Sequence, residues 1–190
     1  MAGIQETVLQ QLSPDTIAQM SQAIGSDPAT TRQAIDAAVP MLMGGMAAHS
    51  ASPSGAQSLE AAASQHDGML DSIGGMLGGA GGLGGVLGGL GGMLGGAGGG
   101  GILGDILGGS HNDVQDGVTK ASGLDRAKAG KLLMMLAPIV LAAVARHRSQ
   151  TGASTTQVTK DLQREAEEHA SHPQFGGILG SILNKATGKA

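Results

Sequence analysis

Four side chains in the last quarter of the chain come closest to a constellation that could do chemistry: Glu165, Glu168, His169 and His172. Carboxylates and imidazoles are ligands for a divalent cation, and on a helix 165/168/172 or 165/169/172 fall near one face. No further strong ligand is fixed nearby, and Pro173 ends a helix at about His172. The four therefore read as a solvated Glu/His face, and no metal is assigned. His49 and His147 stand at the ends of apolar helices, where an imidazole suits the negative end of the helix dipole; they read as structural caps and not as general bases. Ser and His are plentiful, but no Gly-x-Ser-x-Gly elbow follows a strand and no triad can be assembled. Gly-x-Gly-x-x-Gly matches occur in the glycine runs without a preceding strand or a βαβ context, so they are products of composition. The chain has no Cys, which excludes a disulfide framework and thiolate chemistry. The expectation is a non-enzymatic protein with no catalytic residues, no cofactor and no small-molecule substrate.

The elements that must position any site are set by an internal duplication. Residues 3–49 align with residues 101–147 at a constant offset of 98 without a gap. Gly25/Gly123, Asp27/Asp125, Pro40/Pro138 and His49/His147 are identical, and Ile4/Ile102, Leu9/Leu107, Ile35/Leu133 and Met46/Val144 keep apolar character. After a slip of five residues the copies rejoin, Leu59 through His66 matching Leu162 through His169. Two similar supersecondary units are implied.

Within the first copy, Ile4, Val8, Leu9 and Leu12 have helical spacing. Ser13-Pro14 reads as an N-cap with proline at the first helical position, Gly25 as a C-terminal stop, and Asp27-Pro28 as the next start. That helix runs toward His49 and must kink or split at Pro40; residues 55–66 give a last, weakly apolar helix. The second copy repeats the grammar, with a helix from about Asn112 to Ser122, a stop at Gly123, and the apolar stretch Lys131 to Arg146. The charge-free run from Leu132 to Ala145 is shorter than the about 20 residues a membrane span needs and carries Pro138, so a buried, kinked core helix is expected, with Leu136, Ile139, Val140 and Val144 inward. Thr156 to Ala170 reads as an amphipathic helix with Val158 and Leu162 inward.

Between the copies, Gly74 to Gly104 is uncharged and built from units such as Gly-Gly-Met-Leu-Gly-Gly-Ala. Each glycine costs about 1 kcal/mol in a helix relative to alanine, so an isolated helix is excluded. A passive linker fits the glycine but not the absence of Ser, Thr and charge. The sharper expectation is an adhesive segment contacting partners through Leu77, Leu83, Leu87, Leu90 and Leu94, in self-assembly or at a lipid interface. Gly177 to Leu183 nearly repeats the apolar cassette Gly101 to Leu107. The expected organisation is a first helical repeat at 1–68, the Gly/Leu-rich segment at 69–109, a second repeat at 110–172 and a tail at 173–190.

Composition narrows the class. With 35 glycines, no Trp or Tyr and Phe175 as the single aromatic, the core must be Leu, Ile, Val, Ala and Met, which favours closely packed helices over a sheet. The net charge of −4 is a poor fit to nucleic acid, although Arg126, Lys128, Lys131, Arg146, His147 and Arg148 cluster in the second copy. The first residues lack a basic n-region and a long apolar h-region, so a cytoplasmic location is expected. Ile102-Leu103, Val118, Ser122-Gly123-Leu124, Leu132-Leu133, Leu136-Ala137-Pro138-Ile139-Val140-Leu141 and Leu162 together resemble the YidB-like family of bacterial proteins of unknown function, and Val39-Pro40-Met41-Leu42 resembles it more faintly. The resemblance implies an all-α fold and brings no catalytic residues. The reading is all-α, two pseudo-symmetric multihelical repeats joined by a glycine-rich apolar segment, acting as an interaction or self-assembly module that forms homo-oligomers. A helix-turn-helix-like DNA-binding protein and membrane association through the Gly/Leu segment are the alternatives.

Overall fold

A computed structural model describes residues 3–65, 101–173 and 175–187, and every regular element among them is helical. Leu77, Leu83, Leu87, Leu90 and Leu94 lie outside the described residues. In chain order the elements are α1 (Ile4–Gln11), α2 (Pro14–Ile24), α3 (Pro28–Ser50), α4 (Pro53–Gln65), α5 (Gly101–Leu107), a 3-10 turn (Gly108–Ser110), α6 (His111–Ser122), α7 (Arg126–Thr151), α8 (Thr155–Glu168) and α9 (Gly176–Thr187).

The boundaries follow from local chemistry. Ser13 Oγ accepts the Thr16 N–H at 3.2 Å, with Pro14 opening α2. Gly25 ends α2 in the left-handed conformation (φ +68°), which lets the Ser26 N–H reach back to the Ser21 carbonyl at 2.9 Å. Asp27 Oδ1 caps α3 through the Thr30 N–H at 2.8 Å, and the Thr30 hydrogen bonds hold its carboxyl below the usual carboxylate value. The second half uses the same devices: Gly123 is left-handed at φ +73°, and Asp125 Oδ1 accepts the Lys128 N–H at 2.9 Å.

Two long helices form the interior. Every residue of α3 from Ala37 to Ala47 is buried, and so is every residue of α7 from Leu136 to Ala145. A helix that is apolar all round belongs in the middle of a fold. Pro40 and Pro138 lie inside these stretches and split neither helix. A mid-helix proline costs about 3 kcal/mol, but each fully buried Leu, Ile or Met contributes about 1.5–3 kcal/mol, and Met41, Leu42, Met43, Leu136 and Val140 are all at zero exposure.

The two halves do not build separate cores. α3 packs chiefly against α6, α8 and α9 of the second half, while α1 of the first half lies along α7. One contiguous apolar cluster runs from Ile4 to Leu183. What admits the neighbours so close to α3 is a pair of glycines. A Cβ on Gly44 would lie 2.7 Å from Leu179 Cδ1, and one on Gly45 would lie 2.5 Å from Leu107 Cδ2 and 3.2 Å from Val114 Cγ2. The two apolar cassettes supply these contacts and bury equivalent positions, α5 its Leu103, Ile106 and Leu107 and α9 its Leu179, Ile182 and Leu183, but Gly45 meets the last leucine of one and Gly44 the first leucine of the other. The end of the glycine-rich stretch and part of the 173–190 tail are thus structural helices of the core.

Leu9, which shares helical spacing with Ile4, Val8 and Leu12, is 42% exposed, because α1 is only two turns long and turns Ile4 and Val8 onto α7. His49 stands in the last turn of α3 as expected, and its ring lies directly against Gly108, whose positive φ (+50°) carries the chain past it.

Leu136→Ala should lower stability by about 2–5 kcal/mol in denaturant titrations, as for other buried leucine truncations. Gly45→Val should lower it by about 1–3 kcal/mol through overpacking against Leu107 and Val114. A loss under about 0.5 kcal/mol for Leu136→Ala, the scale of a surface substitution, would refute its core placement.

Candidate functional site

The second half reaches over the start of the first at Glu165. Val158, Leu162, Glu165 and Ala166 form the buried stripe of α8, so this carboxylate sits on the apolar face and not in solvent. Its oxygens accept the N–H of Ile4 at 3.0 Å and of Gln5 at 2.9 Å, donors that the first turn of α1 leaves unpaired. The negative charge also meets the positive end of the α1 dipole. Gly3 permits the approach, since a Cβ there would lie 3.0 Å from Glu165 Oε1. The expectation of a solvated Glu/His face is therefore wrong for Glu165: buried donors from a distant segment claim it.

His169 continues the network. Its Nδ1 lies 3.1 Å from the Glu165 carbonyl and its Nε2 3.2 Å from the Gln5 side-chain nitrogen. A carbonyl only accepts, so Nδ1 carries the proton and Nε2 accepts from the Gln5 amide. With both nitrogens engaged, the ring holds α1 to the end of α8. His172 stacks on Phe175 with ring centroids 4.1 Å apart and planes 14° apart, and Glu168 points to solvent. The four residues first considered as ligands are thus divided among a helix cap, a bridge, an aromatic stack and an exposed surface. Among the described residues, no group of three His, Cys, Asp or Glu side chains gathers around a point that could hold a metal.

Beside this network a cleft of about 300 Å³ opens, with Gln5, Leu9, Gln33, Asp36, His169 and Phe175 among its walls. It offers amides, two imidazoles, one carboxylate and the exposed Leu9. Among these lining residues no nucleophile stands beside a base. A wider cleft of about 550 Å³ lies between α4 and α7, bordered by Ala63, Ser64, Ala145, Arg148 and Ser154. Arg148 there is already bound to Glu60 Oε1 at 2.8 Å.

The basic cluster of the second half is largely paired. Arg126 meets Asp116 at 3.3 Å, Lys128 meets Asp125 at 3.7 Å, and His147 Nε2 lies 3.2 Å from Asp161 Oδ2, so His147 faces a carboxylate on α8 and not the end of its own helix. α7 is long and apolar enough to cross a membrane by length and composition, yet its apolar stretch is buried within the helical core. Sequence reasoning missed the capping role of Glu165. The available signal was an acid on an otherwise apolar helical stripe, a position that demands a hydrogen-bond partner.

Residues 6–147 match a family described as bacterial protein of unknown function (DUF937). No curated protein and no solved structure matches the chain.

Glu165→Ala should cost about 1–3 kcal/mol, because it leaves the buried Ile4 N–H without an acceptor. Amide exchange at Ile4 and Gln5 should accelerate while that of α6 is unchanged. Unaltered exchange at Ile4 would show that the cap does not hold α1.

Proposed function

The chain belongs to the bacterial DUF937 family of unknown function, and from that premise we propose that it is a non-enzymatic self-assembly module built from two pseudo-symmetric helical repeats. The repeat reading is supported by the order and caps of the elements: α1 to α4 and α5 to α8 follow the same sequence of short, short, long and short helices. Gly25 and Gly123 are both left-handed stops, and Asp27 and Asp125 are both N-caps.

A single observation carries the assembly reading. The Gly-Ile-Leu-Gly-x-Ile-Leu cassette behaves in α5 and α9 as a helix-packing unit, laying its leucines on the glycine surface of α3. The segment between the copies offers further Gly-Gly-apolar-Leu units of the same kind, with Leu77, Leu83, Leu87, Leu90 and Leu94 as contact residues. A sequence rich in such units and free of charge has the composition of a segment that associates with its own kind. The pairing of Arg126, Lys128 and Arg148 with carboxylates weighs against a DNA-binding reading.

Replacing the five leucines with serine should reduce the oligomer seen by size-exclusion chromatography with light scattering, since each fully buried leucine contributes about 1.5–3 kcal/mol. An identical mass for the parent and the five-serine variant would reject the adhesive reading and restore a passive linker.

A further inference from the structure

Gln5, Gln33 and Asp36 line the cleft of about 300 Å³ beside the Glu165 network, and the fold leaves their acceptor atoms unused. Gln33 Nε2 donates to the Ala121 carbonyl at 3.1 Å. Gln5 Nε2 donates to the ring of His169, whose other nitrogen gives its proton to the Glu165 carbonyl. The two acceptors that claim these amide nitrogens fix the orientation of each amide, so both side-chain oxygens are left over. Among the described residues neither oxygen has a hydrogen-bond partner, and Asp36 is in no ion pair. Gln33 and Asp36 stand one turn apart on one face of α3, and Gln5 enters the same cleft from α1.

The helical unit itself does not demand these acceptors. At the offset of 98 the second copy has Leu103, Lys131 and Met134 in place of Gln5, Gln33 and Asp36, and the corresponding helices form all the same. No Lys or Arg is among the residues that line the cleft, both nitrogens of His169 are engaged, and His172 is stacked on Phe175. The lining thus combines one carboxylate and two amide oxygens with the apolar surfaces of Leu9 and Val39. We propose that this cleft binds a primary alkylammonium group. An ammonium carries three N–H donors and no acceptor, which matches the Asp36 carboxylate, Gln5 Oε1 and Gln33 Oε1, while its alkyl stem lies along Leu9 and Val39. A hard divalent cation is a poorer match, since Ca²⁺ takes about six to eight oxygen ligands and gains nothing from an apolar wall. The volume is at the small end for ligand sites and suits a short, unbranched stem. The inference is independent of the assembly reading.

Such a group belongs either to a free amine or to a lysine side chain of another protein, and one set of titrations separates the two. The isotope-labelled full chain is titrated with pentylammonium, with pentanol as the uncharged match, with diaminopentane as a free diamine and with lysine blocked at both backbone ends. The side-chain amide signals of Gln5 and Gln33 are followed by NMR. Pentylammonium should shift both signals saturably, and pentanol should bind at least about tenfold more weakly, as for loss of a charged hydrogen-bond partner. Asp36→Asn should weaken pentylammonium by a similar factor, whereas Asp15→Asn, at the start of α2, should bind it as the parent does. Tighter binding of blocked lysine than of diaminopentane assigns the group to a protein partner, and the reverse order assigns it to a free amine. Equal affinity for pentanol and pentylammonium overturns the proposal, as does unchanged affinity in Asp36→Asn or a titration that leaves the Gln5 and Gln33 signals in place. If Asp36→Asn loses helicity, the comparison of pentylammonium with pentanol on the parent chain decides.

Discussion

The close approach of two helices to Gly44 and Gly45 is the contact on which the rest of the fold depends. Neighbouring residues on a helix point about 100° apart, so adjacent glycines open two different sides of α3 at one level. Leu179 enters one side and Leu107 the other. Gly117 of α6 does the same from across the interface, its missing Cβ lying where the Met41 side chain of α3 passes. A glycine inside a helix costs about 1 kcal/mol relative to alanine. Here that cost is offset because backbone-to-side-chain contact replaces a gap of several ångströms, and close-packed interiors lose dispersion energy steeply when such gaps are left.

This arrangement explains why the two copies share one core. A segment of about 60 residues buries a smaller fraction of its surface than a larger domain does and is marginal alone, the more so with almost no aromatic side chains. Crossing the copies, so that α3 is enclosed by α6, α8 and α9 while α1 covers α7, gives each long helix neighbours on all sides. Polar ties follow the same crossing: Glu165 to α1, Arg148 to Glu60, Thr159 Oγ1 to Ser50 Oγ at 3.0 Å, and Gln33 Nε2 to the Ala121 carbonyl at 3.1 Å. The Glu165 cap is buried and is the strongest of them, while the partly exposed pairs contribute about 0–1 kcal/mol each. Together they fix which face of one copy meets which face of the other.

Elements governed by local chemistry were legible in the sequence. Gly25 and Gly123 stop helices because the left-handed conformation is cheap only for glycine. Asp27 and Asp125 start them because a short acceptor can reach an N–H three residues on. The inward set Leu136, Ile139, Val140 and Val144 follows from helical period alone. What could not be read was set by contacts across the chain. Glu165 and Ile4 are 161 residues apart, and nothing in the spacing of Glu165, Glu168, His169 and His172 reveals that the first of them faces a helix end. At Pro40 local rules allow a kink or a break, and burial on all sides keeps α3 in one piece. Leu9 shares the helical spacing of Ile4 and Val8 yet stays exposed, since a two-turn helix has room to bury only one narrow edge.

Glycine performs three different tasks in this chain, and the distinction bears on how its richest segment should be understood. At Gly25 and Gly123 it supplies a backbone conformation; at Gly44, Gly45 and Gly117 it supplies the absence of a side chain; in the Gly-Ile-Leu cassettes it narrows one side of a helix whose other side carries the leucines. Only the first task marks a place where regular structure ends. The other two belong to packed helices, so a high glycine content here is not by itself a sign of an inert spacer. α5 and α9 show the point directly, because Gly101, Gly104, Gly176, Gly177 and Gly180 all fall within helices whose leucines are buried. An intrinsically weak helix with one strongly apolar edge gains its stability from the surface it meets. That makes such a unit dependent on its seat, and it is why the glycines of α3, rather than the glycine-rich sequence alone, decide where α5 and α9 dock.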